Sequence, residues 1–344
     1  MVTAPVFVIA EAGVNHNGDL ALALKLCDAA RAAGADAVTF QTFRADDLVL
    51  PGAPTAAYQE RLTGEIDQHA MLRKLELSEA QHRTIQAHCN AIGIEFFSTP
   101  FSVAAIDLLL RLGVRRLKLS SGELTHRALV EYASATGLPL LVSTGMATMD
   151  EVREALQWIA GSRDGLRDVT VLHCTSAYPA SDASLNLKAL ALMAIELGVP
   201  VGYSDHSLGI EAALGAVALG ASVIEKHLTL DRGLPGPDHA ASLEPDQFAA
   251  MTASIRRLGA MLGDGNKLPT AEEADTATVA RRSVAAATDI RRGAVIEAAM
   301  LVFRRPATGI APRDAGSLVG RRTLCDIAAG SVLRWDQLEG GAPQ

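Results

Sequence analysis

The sequence predicts an α/β protein, a (β/α)8 barrel followed by a small β-rich domain. Short β-branched segments alternate with amphipathic segments rich in alanine and leucine from residue 6 to about residue 262. Eight such units within about 250 residues are typical of a (β/α)8 barrel. A doubly wound open sheet is the alternative architecture, but no glycine-rich phosphate loop follows the first predicted strand.

The predicted strands are short apolar segments bounded by glycine, proline or polar residues. They cover residues 6–10, 37–40, 95–97, 116–119, 138–142, 169–172, 200–202 and 222–224. The predicted helices cover residues 20–33, 78–91, 103–112, 127–136, 149–160, 187–197, 210–219 and 245–262. Gly113 and Gly198 directly follow two of these helices, as expected where a helix ends and the chain turns back toward the sheet. This alternation places the barrel in residues 1–263.

The composition changes after the last predicted helix of the barrel. Residues 264–280 are rich in charged and turn-forming residues and are interpreted as an exposed linker. Within residues 281–344, the pattern D-I-x-x-G-x-V that starts at Asp289 recurs at Asp326, 37 residues later. The repeat predicts a β-rich module with internal pseudo-symmetry. Its small size predicts that it depends on the barrel or on another subunit for stability.

Composition and charge exclude several classes of protein. The net charge is −8 and aromatic residues make up 4% of the chain, which disfavours a nucleic-acid partner. No apolar segment approaches the roughly 20 residues of a membrane span, and no basic residue precedes the first apolar stretch as in a signal peptide. The four cysteines are scattered without a C-x-x-C pair. We therefore expect reduced thiols in a cytoplasmic protein with no membrane partner.

Polar side chains cluster at the carboxyl ends of the predicted strands, where (β/α)8 enzymes carry their active sites. In chain order they include Glu11, Gln41, Ser98, Lys118, Ser121, Glu123, Ser143, Thr144, Tyr178, Ser204, Asp205, His206, Glu225, Lys226 and His227. The amino-terminal ends of the same strands carry no comparable set. The sequence therefore predicts an active site at this end of the barrel.

Two histidines stand out in this set as candidate metal ligands. His206 and His227 end strands that are expected to be neighbours, so their imidazoles can converge on one divalent ion. Asp205 and Glu225 flank them and are expected to orient the rings. The alternative is a pair of hydrogen-bonded loop histidines without a metal.

Lys118 lies inside an apolar strand, and a lysine is rarely buried without a partner. One interpretation is an ion pair across the barrel with Glu11 or Glu225. The others are a cation for an anionic substrate or a Schiff-base nucleophile. The sequence leaves these interpretations open.

A group of hydroxyl side chains at neighbouring strand ends suits a phosphate. Ser121, Ser143, Thr144 and Ser204 contribute hydroxyls, and the tight turns beside them contribute backbone N–H groups. Each serine taken alone is typical of a helix cap. The cluster therefore favours anion binding more than any one member does.

Two further candidates lie outside the strand ends. Asp238 is part of a rigid loop after the last strand and is expected to contact substrate at the barrel mouth. Arg305 lies in a basic turn of the C-terminal module, where the residues alone indicate a solvated surface side chain.

A series of short motifs occurs in order along the chain: IAEAGVNHNG (9–18), FQT (40–42), FSTPF (97–101), KLSSGE (118–123), STGM (143–146), HCTSAYP (173–179), GYSDH (202–206), IEKH (224–227) and PGPDH (235–239). With them, nearly the whole chain resembles the sialic acid synthase family of N-acetylneuraminate, legionaminate and pseudaminate synthases. Residues 281–344 resemble the family's antifreeze-like SAF domain. The resemblance implies a TIM-barrel transferase that condenses phosphoenolpyruvate with an N-acylhexosamine and releases phosphate.

The resemblance also implies roles for individual residues. The implied catalytic residues are Glu11, Lys118, Glu123 and Glu225. The implied ligands of a Mn²⁺ or Mg²⁺ ion are His206 and His227. The residues implied in binding phosphoenolpyruvate are Lys118, Ser121, Ser143 and Ser204. Those implied around the amino sugar are Gln41, Ser176, Tyr178 and Asp238. Because the family's SAF domain reaches into the partner subunit's site, the resemblance implies a domain-swapped homodimer in which Arg305 contacts the sugar's acyl group.

Two positions depart from the family pattern. Thr39 stands where the family usually has a lysine, which removes a cation expected near phosphoenolpyruvate. Ser176 stands where neuraminate synthases have asparagine, and serine is common in the legionaminate-like branch. Two alternatives stay open: a Schiff-base pyruvate aldolase that uses Lys118 or Lys226, and a non-catalytic sugar-binding barrel.

Overall fold

The computed structural model describes residues 5–343, which form two units, one ending at Asp264 and the other beginning at Gly265. The strands of the first unit are β1 (Phe7–Gly13), β2 (Ala37–Thr42), β3 (Glu95–Pro100), β4 (Leu117–Leu119), β5 (Leu140–Ser143), β6 (Val169–Cys174), β7 (Val201–Asp205) and β8 (Val223–His227). They are parallel, and their hydrogen-bonded order is β3-β2-β1-β8-β7-β6-β5-β4. The end strands β3 and β4 lie side by side, so the sheet nearly closes and the predicted barrel is confirmed.

The helices of the first unit are α1 (Leu20–Ala32), α2 (Ala45–Leu48), α3 (Ala57–Thr63), α4 (Gln68–Arg73), α5 (Glu79–Ile92), α6 (Val103–Leu112), α7 (Arg127–Ala135), α8 (Met149–Ser162), α9 (Ala189–Leu197), α10 (Glu211–Ala218) and α11 (Pro245–Leu262). Eight of them match the predicted helices. The short helices α2, α3 and α4, which connect β2 to α5, were not predicted because segments this short show no sustained apolar period. No helix in residues 5–343 is long and apolar enough to cross a membrane.

Helix ends follow local sequence rules. At the start of α5, the Ser78 hydroxyl accepts the Gln81 N–H at 3.3 Å, and the Gln81 side chain accepts the Ser78 N–H at 2.8 Å. This reciprocal capping satisfies two backbone donors that the helix cannot pair internally. Gly113 ends α6 with a φ of 74°, a left-handed conformation that glycine adopts without a steric penalty.

Seven strands extend further toward their carboxyl ends than predicted, the exception being β4. As a result Glu11, Gln41, Ser204, Glu225 and His227 lie within strands and not in the loops after them. The hydrogen-bond ladder continues through these residues whatever their side chains, whereas the sequence pattern marks a strand only while it is apolar. Because side chains alternate along a strand, Glu225 and His227 share one face of β8.

The second unit contains α12 (Ala274–Ala280) and an antiparallel pair of strands, β9 (Ser283–Ala286) and β10 (Leu301–Arg304). The helix lies within the segment interpreted as an exposed linker, so part of that segment is ordered. The domain boundaries at residues 263, 280 and 344 stay a prediction, and residues 1–4 and 344 lie outside the described range.

The predicted internal repeat forms a pseudo-twofold pair in the second unit. Ile290 and Ile327 occupy equivalent repeat positions and exchange both backbone hydrogen bonds with each other at 2.8 Å. Asp289 and Asp326 each accept, at 2.7 Å, a backbone N–H from the third residue after the other aspartate. The two aspartates therefore link the two copies of the repeat by hydrogen bonds, and both isoleucines are buried in the core of the second unit.

Candidate active site

An ion triad crosses the interior of the barrel at the carboxyl end of its strands. Lys118 on β4 places its Nζ 2.9 Å from Glu225 Oε1 on β8 and 3.4 Å from Glu11 Oε2 on β1. All three side chains are buried. Two carboxylates and one ammonium leave the triad with one negative charge when all three groups are ionised, so one carboxyl is favoured as a proton carrier.

The pKa values of the triad follow from burial and from these contacts. Burial, opposed by Lys118 and reinforced by the charge of Glu225, raises the pKa of Glu11 to about 8. Burial acts to lower the pKa of Lys118, but the carboxylates of Glu225 and Glu11 outweigh it, so the pKa rises above its ordinary value. Lys118 is therefore a permanent cation near neutral pH, and Glu11 is poised to hold or release a proton there.

Several buried polar atoms around the triad have no hydrogen-bond partner among the described residues. They are Glu11 Oε1, Glu225 Oε2, Ser143 Oγ and His227 Nδ1. The other carboxylate oxygen of Glu225, Oε1, is engaged, because it accepts the Ser204 hydroxyl at 2.7 Å and lies 2.9 Å from Lys118 Nζ. Buried polar groups are nearly always paired in folded proteins, so a cluster of unpaired ones indicates positions that a ligand satisfies.

The two candidate metal ligands come together as predicted. The ring centroids of His206 and His227 are 5.4 Å apart with the ring planes inclined at 61°. His206 Nδ1 lies 2.7 Å from the Thr175 carbonyl oxygen. Because a carbonyl only accepts, Nδ1 donates, and Nε2 carries the lone pair. The Ser204 hydroxyl oxygen lies 3.4 Å from Nε2 but donates its proton to Glu225 at 2.7 Å, so the lone pair stays available. Burial lowers the pKa of both histidines, which keeps them neutral.

Asp205 does not orient the imidazoles as the sequence suggested. Its carboxylate accepts the Lys226 ammonium at 2.6 Å and both the backbone N–H and the hydroxyl of Ser207. Side-chain alternation turns Asp205 and Lys226 to the opposite face of β7 and β8 from the two histidines. Glu225 does lie on the same face as His227, but its contacts are to Lys118 and Ser204. In residues 5–343, no three His, Cys, Asp or Glu side chains form a metal-binding group.

Two members of the predicted hydroxyl cluster, Ser121 and Ser143, lie where β4 and β5 end. The other two hydroxyls have partners of their own: Thr144 donates to the Leu172 carbonyl oxygen at 2.9 Å, and Ser204 donates to Glu225. Ser121 Oγ accepts the Gly145 N–H at 2.9 Å and lies 3.2 Å from Cys174 Sγ. A Cβ on Gly145 would overlap Ser176 Oγ and lie 3.0 Å from both Cys174 Sγ and Ser121 Oγ. Only a glycine fits between these groups. The neighbouring Ser143 hydroxyl is buried without a partner, as noted above.

Aromatic rings line the other side of the imidazole pair. The Tyr178 ring lies 4.3 Å from the His206 ring and 5.7 Å from the His227 ring, between ring centroids. Tyr58 of α3 stacks on Tyr178 at 5.4 Å. Asp238 Oδ2 lies 3.9 Å from His227 Nδ1, and burial raises the pKa of Asp238 to about 6. Tyr178 and Asp238 thus lie beside the imidazole pair, and their contacts with substrate stay a prediction.

Sequence reasoning missed Tyr58 because it lies in the polar connection between β2 and α5. The signal was an aromatic ring in a turn-rich stretch of a chain that has four tyrosines. Three other candidates are placed less centrally. Gln41 lies on β2, with its Nε2 3.6 Å from the position of a Cβ on Gly13. The Glu123 carboxylate pairs with His126 at 2.8 Å, and Arg305 is exposed in the second unit.

The chain is similar to known synthases along nearly its whole length. The sequence profile of the NeuB family matches residues 26–267, and that of the SAF domain matches residues 281–339. The chain belongs to the NeuB family. It is 46% identical over 336 residues to the N,N'-diacetyllegionaminic acid synthase of Legionella pneumophila, covering 97% of this chain and 94% of that protein.

Two further NeuB-like proteins agree with this assignment. The chain is 40% identical over 328 residues to the N,N'-diacetyllegionaminic acid synthase of Campylobacter jejuni, covering 95% of this chain and 98% of that protein. The crystal structure of the N-acetylneuraminic acid synthetase of Leptospira borgpetersenii, in complex with citrate, superposes with a TM-score of 0.70 at 35% identity, covering 79% of this chain and 90% of that one. This NeuB protein is therefore an enzyme, a carbon–carbon bond-forming transferase of the sialic acid synthase type, and its C-terminal unit is a SAF domain.

Proposed function

We propose that this NeuB protein condenses phosphoenolpyruvate with an N-acylhexosamine, releases phosphate and yields a nonulosonic acid. The observation that carries the proposal is the Lys118 ammonium held between Glu11 and Glu225 beside the His206–His227 pair. This arrangement brings a fixed cation, a carboxyl with a pKa near neutrality and two neutral imidazoles into one buried site. Those are the groups that an anionic enol donor and an aldehyde acceptor require.

A divalent ion, Mn²⁺ or Mg²⁺, is part of this proposal, and the residues present fit it. His206 offers the lone pair of Nε2, while His227 has a buried ring nitrogen without a partner. His206 and His227 would hold the ion, with substrate or water completing its coordination, since residues 5–343 offer no third His, Cys, Asp or Glu ligand beside them. When bound, the ion supplies Lewis-acid polarisation of the sugar aldehyde.

The chain's own residues account for the other parts of the reaction. Lys118 offsets the charge of phosphoenolpyruvate in a buried pocket, and the hydroxyls of Ser121 and Ser143 donate to its oxygens. Ser204 joins them only by turning its hydroxyl away from Glu225, to which it donates in the structure. The enol carbon C3 attacks the aldehyde carbon, the C=O electron pair moves to the aldehyde oxygen, which takes up a proton to become a hydroxyl, and C2 is left cationic. Glu11 takes a proton from the water that attacks C2, and the resulting tetrahedral intermediate then expels phosphate.

The sugar that we propose is a 2,4-diacetamido-trideoxyhexose. The two legionaminate-type relatives have the highest identities reported above, and the N,N'-diacetyllegionaminic acid after which they are named carries two N-acetyl groups. Ser176, which distinguishes this chain from neuraminate synthases in the family pattern, lies against Gly145 at the hydroxyl cluster. An N-acetylmannosamine-like sugar is the second candidate, because the Leptospira neuraminate synthetase is also similar.

The structure argues against the aldolase alternative. Lys226 Nζ donates to Asp205 and to the Ser207 carbonyl oxygen at 2.6 Å each, and the side chain is completely buried. Lys118 is held as an ammonium by two carboxylates, whereas a Schiff base requires the free amine. Trapping with borohydride in the presence of substrate tests this directly, because a covalent adduct would support the aldolase.

The decisive experiment measures phosphate release from phosphoenolpyruvate with a panel of acylated amino sugars and identifies the product by mass spectrometry. We expect turnover with a diacetamido sugar, loss of turnover in EDTA and recovery on adding Mn²⁺ or Mg²⁺. Phosphate release that EDTA leaves unchanged would contradict the metal assignment. Sugar binding without any turnover would support the non-catalytic alternative.

We further propose a cytoplasmic homodimer in which the SAF domain of one subunit completes the partner's site through Arg305. Support comes from the family's domain swap and from the exposure of Arg305 after β10. Complementation tests it: mixing an Arg305→Ala subunit with a His206→Ala subunit should restore about a quarter of the activity, because one of four statistical sites is intact. Two inactive variants that stay inactive when reassembled together would contradict the swap.

A further inference from the structure

Cys174 is a buried free cysteine at the carboxyl end of β6. Its Sγ lies 3.2 Å from the Oγ of Ser121, which follows β4. A Cβ on Gly145 would lie 3.0 Å from both of these atoms, so the thiol, the hydroxyl and the turn after β5 meet at one point. The charges of Lys118 and Glu225 both act on the pKa of Cys174, which places the thiol close to the ion triad.

The direction of the hydrogen bond between this thiol and the Ser121 hydroxyl decides what the hydroxyl can do. A serine hydroxyl has one proton to donate and two lone pairs with which to accept. Ser121 Oγ already accepts the Gly145 N–H at 2.9 Å, which occupies one lone pair. If the Cys174 S–H donates to the other lone pair, the Ser121 proton stays free for a ligand. If the hydroxyl donates to Sγ instead, no proton is left for a ligand.

The protonation state of Cys174 allows the thiol to be the donor. Burial raises the pKa of Cys174 above its ordinary value, and it outweighs the opposing contacts, of which the hydrogen bond with Ser121 is the largest. Cys174 is therefore a neutral S–H group near neutral pH and not a thiolate. A thiolate here would draw the Ser121 proton to itself and would repel an anionic substrate.

We propose that Cys174 is a positioning residue for phosphoenolpyruvate binding: its S–H and the Gly145 N–H both donate to Ser121 Oγ and so direct the Ser121 proton toward the substrate. Hydrogen bonds that a hydroxyl accepts also polarise it, which strengthens the bond that it donates. This inference rests on the proposed synthase reaction and goes beyond it by adding a residue that the reaction as proposed does not use.

A double-mutant cycle between Cys174 and Ser121 tests the proposal. The proteins are the wild type, Cys174→Ala, Ser121→Ala, the double variant, and Cys174→Ser, which keeps a hydrogen-bond donor. Cys89→Ala is the matched control, because Cys89 is also a buried cysteine of the barrel but lies on α5, with its Sγ 3.4 Å from that of Cys27. Calorimetry gives the Kd for phosphoenolpyruvate, and steady-state kinetics with the sugar that the wild type turns over gives kcat and the KM of each substrate.

We expect Cys174→Ala to raise the Kd for phosphoenolpyruvate by about fivefold, which corresponds to the roughly 1 kcal/mol of one neutral hydrogen bond. Cys174→Ser should stay within about threefold of the wild type, because its hydroxyl replaces the S–H donor. In the Ser121→Ala background, Cys174→Ala should have no further effect, because the thiol acts through a hydroxyl that is then absent. The KM for the sugar should change by less than about twofold in each Cys174 variant, and Cys89→Ala should match the wild type.

The outcomes separate this inference from the synthase assignment. An unchanged Kd in Cys174→Ala, or a Kd raised as much in Cys174→Ser as in Cys174→Ala, would overturn the role of the S–H donor while leaving the reaction intact. Losses that add in the double variant, or an equal rise in the KM of both substrates, would indicate a packing role and would also overturn it. Phosphoenolpyruvate binding without turnover of any sugar by the wild type would contradict the proposed reaction, and the Kd values would still decide the role of Cys174.

Discussion

Replacing Lys118 with methionine removes the cation of the buried triad while keeping a side chain of similar length. Nζ lies 2.9 Å from Glu225 and 3.4 Å from Glu11, and both carboxyls are almost completely buried. Removing one partner of a buried ion pair costs about 3–5 kcal/mol, because the remaining charge is left uncompensated. We expect a loss of unfolding free energy in this range near pH 8, together with loss of turnover.

The loss of unfolding free energy caused by Lys118→Met should grow with pH, and the direction of this dependence follows from the pKa of Glu11. In the folded wild type this pKa is about 8, above its ordinary value of 4.5, so the folded state binds the extra proton. A group whose pKa is higher in the folded state contributes its full stabilisation at pH values below its pKa in the unfolded state. That stabilisation is lost as the pH rises through its pKa in the folded state. Because Lys118 lowers the pKa of Glu11, that pKa is higher in the Lys118→Met variant than in the wild type. The variant therefore continues to lose unfolding free energy above pH 8, by up to about 1.4 kcal/mol per pH unit.

Urea unfolding followed by tryptophan fluorescence measures this difference. The chain has two tryptophans, so in a Trp335→Phe background Trp158 on α8 reports on the barrel alone. Lys25→Met is the control, because Lys25 is exposed on α1 and its loss should change stability by no more than about 0.5 kcal/mol. A cost for Lys118→Met below about 1 kcal/mol, or one that is constant between about pH 6 and pH 9, would refute the reasoning.

Three further predictions follow from other contacts of the site. His206→Ala or His227→Ala should abolish metal-dependent phosphate release while circular dichroism and the melting temperature stay close to those of the wild type; wild-type rates in either variant would remove the metal assignment. Gly145→Ala should destabilise the barrel by about 1–3 kcal/mol, because its Cβ overlaps Ser176 Oγ, and adding Ser176→Ala should recover part of that loss; a double variant as unstable as the single one would contradict this explanation. Thr39→Lys should lower the KM for phosphoenolpyruvate, because Thr39 is paired in register with Glu11 and a lysine there adds a cation beside the triad; an unchanged or higher KM would show that Lys118 already suffices.

The part of the site that the sequence predicted lies at the ends of β7 and β8. The motifs placed His206 and His227 at neighbouring strand ends, and alternation along a strand then fixed which residues share a face. The same rule explains the error over Asp205. The sequence showed it next to His206, but adjacent residues in extended chain point to opposite sides, and Asp205 pairs with Lys226 on the outer face.

The prediction of helices and strands was limited in the same way, because it used only local sequence patterns. Helices with long amphipathic patterns were recognised nearly to the residue, as for α6 and α11. The strands were truncated at their polar ends, and α2 to α4 were missed, because neither feature has an apolar period. The segment that carries Tyr58 therefore went unrecognised, although it contributes a ring to the site.

The sequence by itself determined the order of strands and helices, the repeat of the C-terminal module and the end of the barrel that carries the polar residues. All of these depend on patterns within a few residues or on motifs repeated along the chain. Only the tertiary structure decided which side chains meet. Lys118 and Glu11 are 107 residues apart, and their contact exists because closing the barrel brings β4 opposite β1 and β8. Pairing across a closed sheet depends on the curvature and stagger of all eight strands together, and no local pattern records it.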